Sequence, residues 1–313
     1  MIDAFGELHA LLADPTVTEV LVNAARDVWI ERNGQLQRST IRMAPGQVDH
    51  VVERAVAPLG LRFDRGSPMV DARLADGTRL HAVGAPVAVD GTCLSLRKFS
   101  VMAIPLSAFA PPPLDTWLIG AVVDRANIVV SGGTSSGKTT LLNSLTQHVP
   151  DGERIVTLED AAELRLGAAH VVRLETRPAT ADGAASIDLT DLVRTALRLR
   201  PDRIVVGEVR GPEALAMLQA MNTGHDGSLT TVHANSARDA LHRIESMALA
   251  ADSGLTLEAV QRQVQRSIDV VVHVARIDGR RAIAEVAAMT DDDTRPLRPL
   301  DGPWSRRTTR GSS

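Results

Sequence analysis

Apolar residues recur along the first hundred positions in two rhythms. Short alternating runs at Glu19–Val22 and Val28–Glu31 predict strands, and Asn33-Gly34 supplies a turn between extended segments. After Pro45-Gly46 the spacing changes to Val48, Val51, Val52, Ala55, Val56 and Leu59, one face of a helix. Two hairpins are then expected. One turns at Asp76-Gly77 within Arg73–Leu80, the other at Asp90-Gly91 between Val87–Val89 and Cys93–Arg97. Together these predict a small α+β domain over residues 1–100.

Ile104-Pro105 and Pro111-Pro112-Pro113 interrupt the pattern, so 101–113 reads as a Pro-rich linker. Beyond it, strands and helices alternate. Strands are expected at Ile128–Val130, Arg154–Leu158, Val171–Leu174, Ile204–Val206 and Ser228–Val232. Helices are expected at Lys138–His148, Leu189–Leu199 and Glu213–Met221, with another starting at the capping-box-like Ser236–Asp239. This order predicts an α/β domain over 114–290, a mostly parallel sheet covered on both faces. Its last element is a hairpin over 269–289 about Asp278-Gly279. The polar stretch 291–313 reads as a disordered tail.

Composition removes several classes of function. The chain has 313 residues, enough for two domains. No apolar run approaches the ~18–20 residues of a membrane span. The N-terminus carries Asp3 and Glu7 without a basic region, so it does not read as a signal peptide. One cysteine, Cys93, leaves neither a disulfide framework nor a multi-cysteine zinc site. Basic and acidic residues number 34 and 38, without a polycationic segment, and aromatic residues are four Phe and three Trp. Nucleic acid is therefore not an expected partner.

The basic residues hold one informative bias, because only Lys98 and Lys138 are lysines. Lys138 falls in Gly132-Gly133-Thr134-Ser135-Ser136-Gly137-Lys138-Thr139, a P-loop between an expected strand and an expected helix. Such a loop turns successive N–H groups on a phosphate, and the helix dipole adds to them. Lys138 would reach the β- and γ-phosphates, and Thr139 would offer its hydroxyl to Mg²⁺. Gly132 through Thr140 are thus the expected ATP-binding residues. Glu159-Asp160…Glu163, Glu208 and His233 also lie at the ends of expected strands, where an open α/β sheet forms its ligand crevice.

These landmarks resemble the type II/IV secretion ATPase superfamily, and most nearly its tight-adherence (Flp-type) pilus branch. The resemblance rests on the P-loop, the Glu159–Glu163 acidic box, Gly207-Glu208-Val209-Arg210-Gly211 and the His225…His233 box. Thr18–Asn23, Val70–Arg79 and Leu94–Phe99 extend it upstream. It implies a RecA-like P-loop domain preceded by a smaller, PAS-like α+β domain. It further implies a ring-forming, hexameric ATPase on the cytoplasmic face of the inner membrane, moving membrane platform proteins for pilus assembly or secretion. The single cysteine excludes the tetracysteine insertion of some type II members. Lys138, Glu208, Glu159 and His233 are the expected catalytic residues, with Thr139 and Glu208 at Mg²⁺. Glu208 is the favoured water-orienting residue, on the expectation that its strand lies beside the P-loop strand. Among Arg73, Arg79, Arg97 and Lys98 of the first domain, Arg79 and Arg97 are the chosen nucleotide contacts. The alternatives are a conjugation or effector-type secretion ATPase, a RecA-like nucleic-acid motor, and a scaffold that binds ATP without turnover.

Overall fold

Strands of alternating burial build one sheet, and strands buried on both faces form the centre of a second. They are seen in a computed structural model that describes residues 5–290, except 25, 33, 45, 99–103, 178, 180–184, 252 and 278, together with the backbone of 297–299. The chain divides into two units, 1–101 with 179–185, and 102–178 with 186–313.

The first unit opens with a short helix, α1 (His9–Ala13). It continues through strands β1 (Val17–Asn23), β2 (Asp27–Arg32) and β3 (Gln35–Arg42), helix α2 (Gln47–Val56), and strands β4 (Met69–Arg73), β5 (Arg79–Val83) and β6 (Cys93–Arg97). The strands form one antiparallel sheet in the order β3-β2-β1-β6-β5-β4. Val20, Val22, Leu80, Ala82, Leu94 and Leu96 share a core with the valine face of α2. Leu59 departs from the expected face and is 43% exposed. Helix α2 ends at Val56, and Ala57–Leu59 tightens to a 3-10 turn around Pro58, which shifts the angular phase.

The hairpin expected at Asp76-Gly77 is present, with Arg73 paired to Arg79. The one expected at Asp90-Gly91 is not. Val87–Val89 is a turn, and Val89 is 92% exposed. Strand β6 already pairs with β1 on one side and β5 on the other, so it offers no edge to another strand.

The second unit begins within the stretch read as a linker. Leu106, Phe109 and Ala110 are buried in its core, so 106–110 is packed rather than loose. There follow α3 (Leu114–Val123), β7 (Ile128–Gly132), α4 (Lys138–Thr146), β8 (Ile155–Glu159), β9 (Val171–Glu175), α5 (Leu189–Ala196), β10 (Arg203–Val209), α6 (Glu213–Asn222) and β11 (Leu229–His233). Helices α7 (Ala237–Leu249) and α8 (Leu257–Ser267) precede strands β12 (Val270–Ile277), β13 (Arg280–Met289) and β14 (Leu297–Pro299).

Eight strands pair in the order β14-β13-β12-β7-β11-β10-β8-β9. From β12 to β9 every pairing is parallel, while β13 and β14 add antiparallel strands at one edge. Successive side chains of β7 serve opposite faces: Val129 packs with α5 to α8, and Ile128 and Val130 pack with α3 and α4. The tail expected from 291 lies outside the described residues, apart from the backbone of β14.

Arg203 opens β10 and is fully buried. Its Nε donates to Glu153 Oε2 at 2.5 Å, and Nη1 donates to the Val122 carbonyl at 2.7 Å. The guanidinium thereby ties the base of the sheet to the end of α3. Replacing one partner of a buried pair leaves the other poorly compensated. Arg203→Ala is expected to lower unfolding free energy by about 3 kcal/mol, the low end of the usual range because Glu153 keeps some solvent contact. Equilibrium urea unfolding measures it.

Candidate functional site

Strand β7 is buried throughout and ends at Gly132, where the chain turns into α4 through the phosphate loop. The loop's shape depends on glycine at two places. A Cβ on Gly132 would stand 2.5 Å from the Val274 carbonyl oxygen of neighbouring β12 and 2.5 Å from Ser136 Oγ. Gly137 has φ +103°, in the left-handed region, and caps α4 without a side-chain acceptor. The first N–H groups of the helix are thus turned toward the loop. Ser136 Oγ is buried without a hydrogen-bond partner. A loop closed to a Cβ at Gly132, with an unsatisfied hydroxyl at Ser136, fits a phosphate group. Thr134 and Ser135 are exposed at the rim, and Gly133, Thr139 and Thr140 are half-buried.

Lys138 folds back over this cradle. Its Nζ donates to the carbonyls of Gly132 (3.1 Å) and Gly133 (3.0 Å), and lies 3.9 Å from Glu208 Oε1. Glu208 reaches the lysine from β10, although the expected adjacency fails. Strand β11 lies between β7 and β10. The register of β10 on β11 shifts between Val206 and Val209, and such a bulge breaks the alternation of side chains and re-aims one of them. The other Glu208 oxygen accepts from both Nε and Nη2 of Arg210. The backbone after Arg210 is held in turn by Glu213, whose Oε1 accepts from the N–H groups of Arg210 (2.6 Å) and Gly211 (2.9 Å).

Glu159 ends β8 and turns inward. It is 3% exposed, and its Oε1 accepts from the N–H groups of Glu163 and Leu164, both at 2.8 Å. Oε2 is buried without a partner. Burial raises its pKa above the usual carboxylate value, against the lowering effect of the two backbone bonds. The side chain packs against Gly207, one residue before Glu208.

His233 ends β11, in register with Gly132 across the β11–β7 pair. The P-loop, Glu159, Glu208 and His233 therefore share one edge of one sheet. Lys138 is drawn to Glu208, whereas Glu159 is engaged with its own loop.

Arg79 and Arg97 belong to the first unit. They are direct cross-strand partners, and Arg73 and Glu19 continue the row on either side. Lys98 is committed elsewhere, because its Nζ donates to the Asp14 carbonyl at 2.5 Å and burial lowers its pKa.

Sequence reasoning assigned no role to Arg210 or His273. The Nδ1 of His273 lies 3.0 Å from the Ser131 hydroxyl, one residue before the loop, and burial lowers its pKa. A histidine within an otherwise apolar strand was the available signal. Arg210 gave a weaker one, an arginine two residues from a strand-end carboxylate.

Comparison with known proteins shows the family of the chain. Residues 3–301 match the family described as "Type II/IV secretion system protein". A provisionally named conjugal transfer protein of Mycobacterium tuberculosis is 42% identical over 303 residues, covering 93% of this chain and 86% of the relative. Conjugal transfer protein TrbB of Rhizobium radiobacter is 34% identical over 91% of this chain and 87% of the relative. The crystal structure of the VirB11 ATPase from the Brucella suis type IV secretion system is 28% identical. It covers 91% of this chain and 93% of that one, with a TM-score of 0.51. The fold is accordingly an N-terminal antiparallel-sheet domain followed by a mostly parallel RecA-like sheet. These relatives are named for conjugal transfer and type IV secretion, so they do not support the tight-adherence branch. With its matching span and these relatives across most of its length, the chain belongs to the type II/IV secretion system protein family.

Proposed function

We propose that this chain is a Mg²⁺-dependent ATPase that assembles as a hexameric ring and powers a conjugal-transfer or type IV secretion apparatus. One observation carries the catalytic half of this reading. The P-loop lysine and a strand-end carboxylate stand 3.9 Å apart, beside a cradle shaped for phosphate. The names of relatives that match nearly the whole chain carry the other half. Pilus assembly, the reading that the sequence resemblance favoured, has no comparable support.

The site residues take distinct roles in this proposal. Gly132 to Thr140 bind the phosphates through the loop and the first turn of α4. Lys138 offsets charge on the transferring phosphoryl group. The Thr139 hydroxyl and Glu208 would hold Mg²⁺, which would supply charge neutralisation at the phosphate oxygens. Glu208, oriented by the Arg210 fork, positions the attacking water. Glu159 is a positioning residue that holds the loop after β8 through its two backbone bonds. His233, level with the start of the P-loop, reports the γ-phosphate to β11.

Among the described residues no helix is long and apolar enough to cross a membrane. The partners are proposed to be inner-membrane components at the cytoplasmic face. Purified protein should release phosphate from ATP in a manner that chelation of Mg²⁺ stops. A pull-down from membranes should recover conjugation or secretion channel proteins. Recovery of a pilus platform in their place would restore the pilus reading.

Arg79 and Arg97 are proposed as nucleotide-binding residues of the N-terminal unit. Arg79→Ala or Arg97→Ala is expected to lower turnover roughly tenfold, the worth of one charged hydrogen bond, with the melting temperature unchanged. Wild-type turnover in both variants would return the pair to a solvated surface role.

A further inference from the structure

The hairpin of β12 and β13 lies against the phosphate loop. Strand β12 pairs directly with β7, placing Val274 opposite Gly132. Strand β13 returns beside it and is tied down at the loop's other flank, where the Ile283 N–H donates to the Phe109 carbonyl at 3.2 Å. Val274 and Ile283 are cross-strand partners, and Arg281 stands two residues before Ile283 on β13. A Cβ built on Gly137 would meet Arg281 Cδ at 2.9 Å and Cγ at 3.6 Å, with Phe109 Cε1 at 3.4 Å. The aliphatic stem of Arg281 therefore runs alongside the residue that caps α4.

That position has consequences for charge. The guanidinium begins one bond beyond Cδ, which stands beside Gly137 at the start of α4. Arg276 is the cross-strand partner of Arg281, and Arg280 precedes it in the chain. All three are exposed. On the opposite side of the loop Lys138 is drawn to Glu208. The loop backbone around Gly137 is the part of a P-loop that holds the α- and β-phosphates, whereas the lysine reaches β and γ.

We propose that Arg281 is a nucleotide-binding residue that contacts the diphosphate portion common to ATP and ADP. It contributes affinity rather than chemistry. This inference rests on the P-loop being a nucleotide site, and it adds a charged contact from the last hairpin of the sheet. Arginine suits the place, because its stem packs on the loop while its planar fork meets phosphate oxygens.

Equilibrium binding of a fluorescent ADP, with unlabelled ATP as competitor, tests the proposal in the full chain. Arg281→Ala is expected to weaken ADP and ATP alike by about tenfold or more, the worth of one charged hydrogen bond. Arg281→Lys should recover part of that loss by keeping a point charge. Arg280→Ala should leave binding unchanged, since Arg280 projects from the other side of the strand. Melting temperatures without nucleotide should match in all four proteins, because the side chain is exposed. Unchanged affinity in Arg281→Ala would overturn the inference. So would an equal loss in Arg280→Ala, which would mean a diffuse field, or a loss confined to ATP, which would place the contact on the γ-phosphate. Failure of the wild-type chain to bind ADP would instead remove the nucleotide reading of the whole loop.

Discussion

Lys138→Ala should abolish Mg²⁺-dependent ATP turnover while the protein stays folded. The side chain's role is legible from where it sits. Its Nζ donates to two carbonyls at the turn between β7 and α4 and faces Glu208 of β10. A phosphate entering the cradle offers this ammonium a stronger acceptor than a carbonyl. In a phosphoryl transfer the protein's work is positioning and charge stabilisation. Removing the one lysine of the loop is expected to cost at least ~4 kcal/mol of transition-state stabilisation, on the order of 10³-fold in rate. The fold has little to lose. Glu208 keeps its Arg210 partner when the lysine is removed. Phosphate release and a melting curve on the same preparation separate the two effects. Turnover that persists in a folded Lys138→Ala protein would place the active site elsewhere.

Much of this site was legible in the sequence because its parts are short and local. A P-loop is eight consecutive residues whose chemistry depends on backbone shape, so Gly132, Gly137 and Lys138 declare themselves without tertiary information. Glu159, Glu208 and His233 could be placed at strand ends for the same reason. What one strand's sequence does not contain is its neighbours. The insertion of β11 between β7 and β10 depends on crossover connections, and no local pattern shows it. The expectation that Glu208 stands on an adjacent strand therefore failed, although a bulge delivers the carboxylate to the lysine.

Fold elements divide along the same line. Helix α2 was plain from its valine face. Strand β3 is an edge strand with mostly exposed polar residues, so it carries almost no hydrophobic period. Val87–Val89 failed in the opposite way. Its apolar content invited a strand, but β6 was already paired on both edges. Lys98 shows the limit for charges. It stands in sequence beside Arg97, one of the two chosen nucleotide contacts, and the structure spends its ammonium on the Asp14 carbonyl.

Glu208→Gln is the second substitution with a large expected effect, and it distinguishes the two strand-end carboxylates. The amide keeps the size of the side chain and can still accept from Arg210 through its oxygen. It loses the negative charge that faces Lys138 and the second acceptor that would orient water or hold Mg²⁺. Nucleotide affinity should stay near that of the unsubstituted protein, because the loop, Lys138 and the α4 N-terminus are untouched. Turnover should fall on the order of 10³-fold, the scale expected when a positioned base or charge stabiliser is removed. Glu159→Gln should behave differently. Its amide oxygen can keep accepting from Glu163 and Leu164, and the change removes a charge that burial already disfavours. A folded Glu159→Gln protein is therefore expected to retain most of its turnover. Measuring labelled-ADP binding and phosphate release for both variants gives a two-way readout. Loss of binding and turnover together in Glu208→Gln would make it a structural or purely metal-holding residue. A collapse of turnover in Glu159→Gln, with Glu208→Gln active, would exchange the roles of the two.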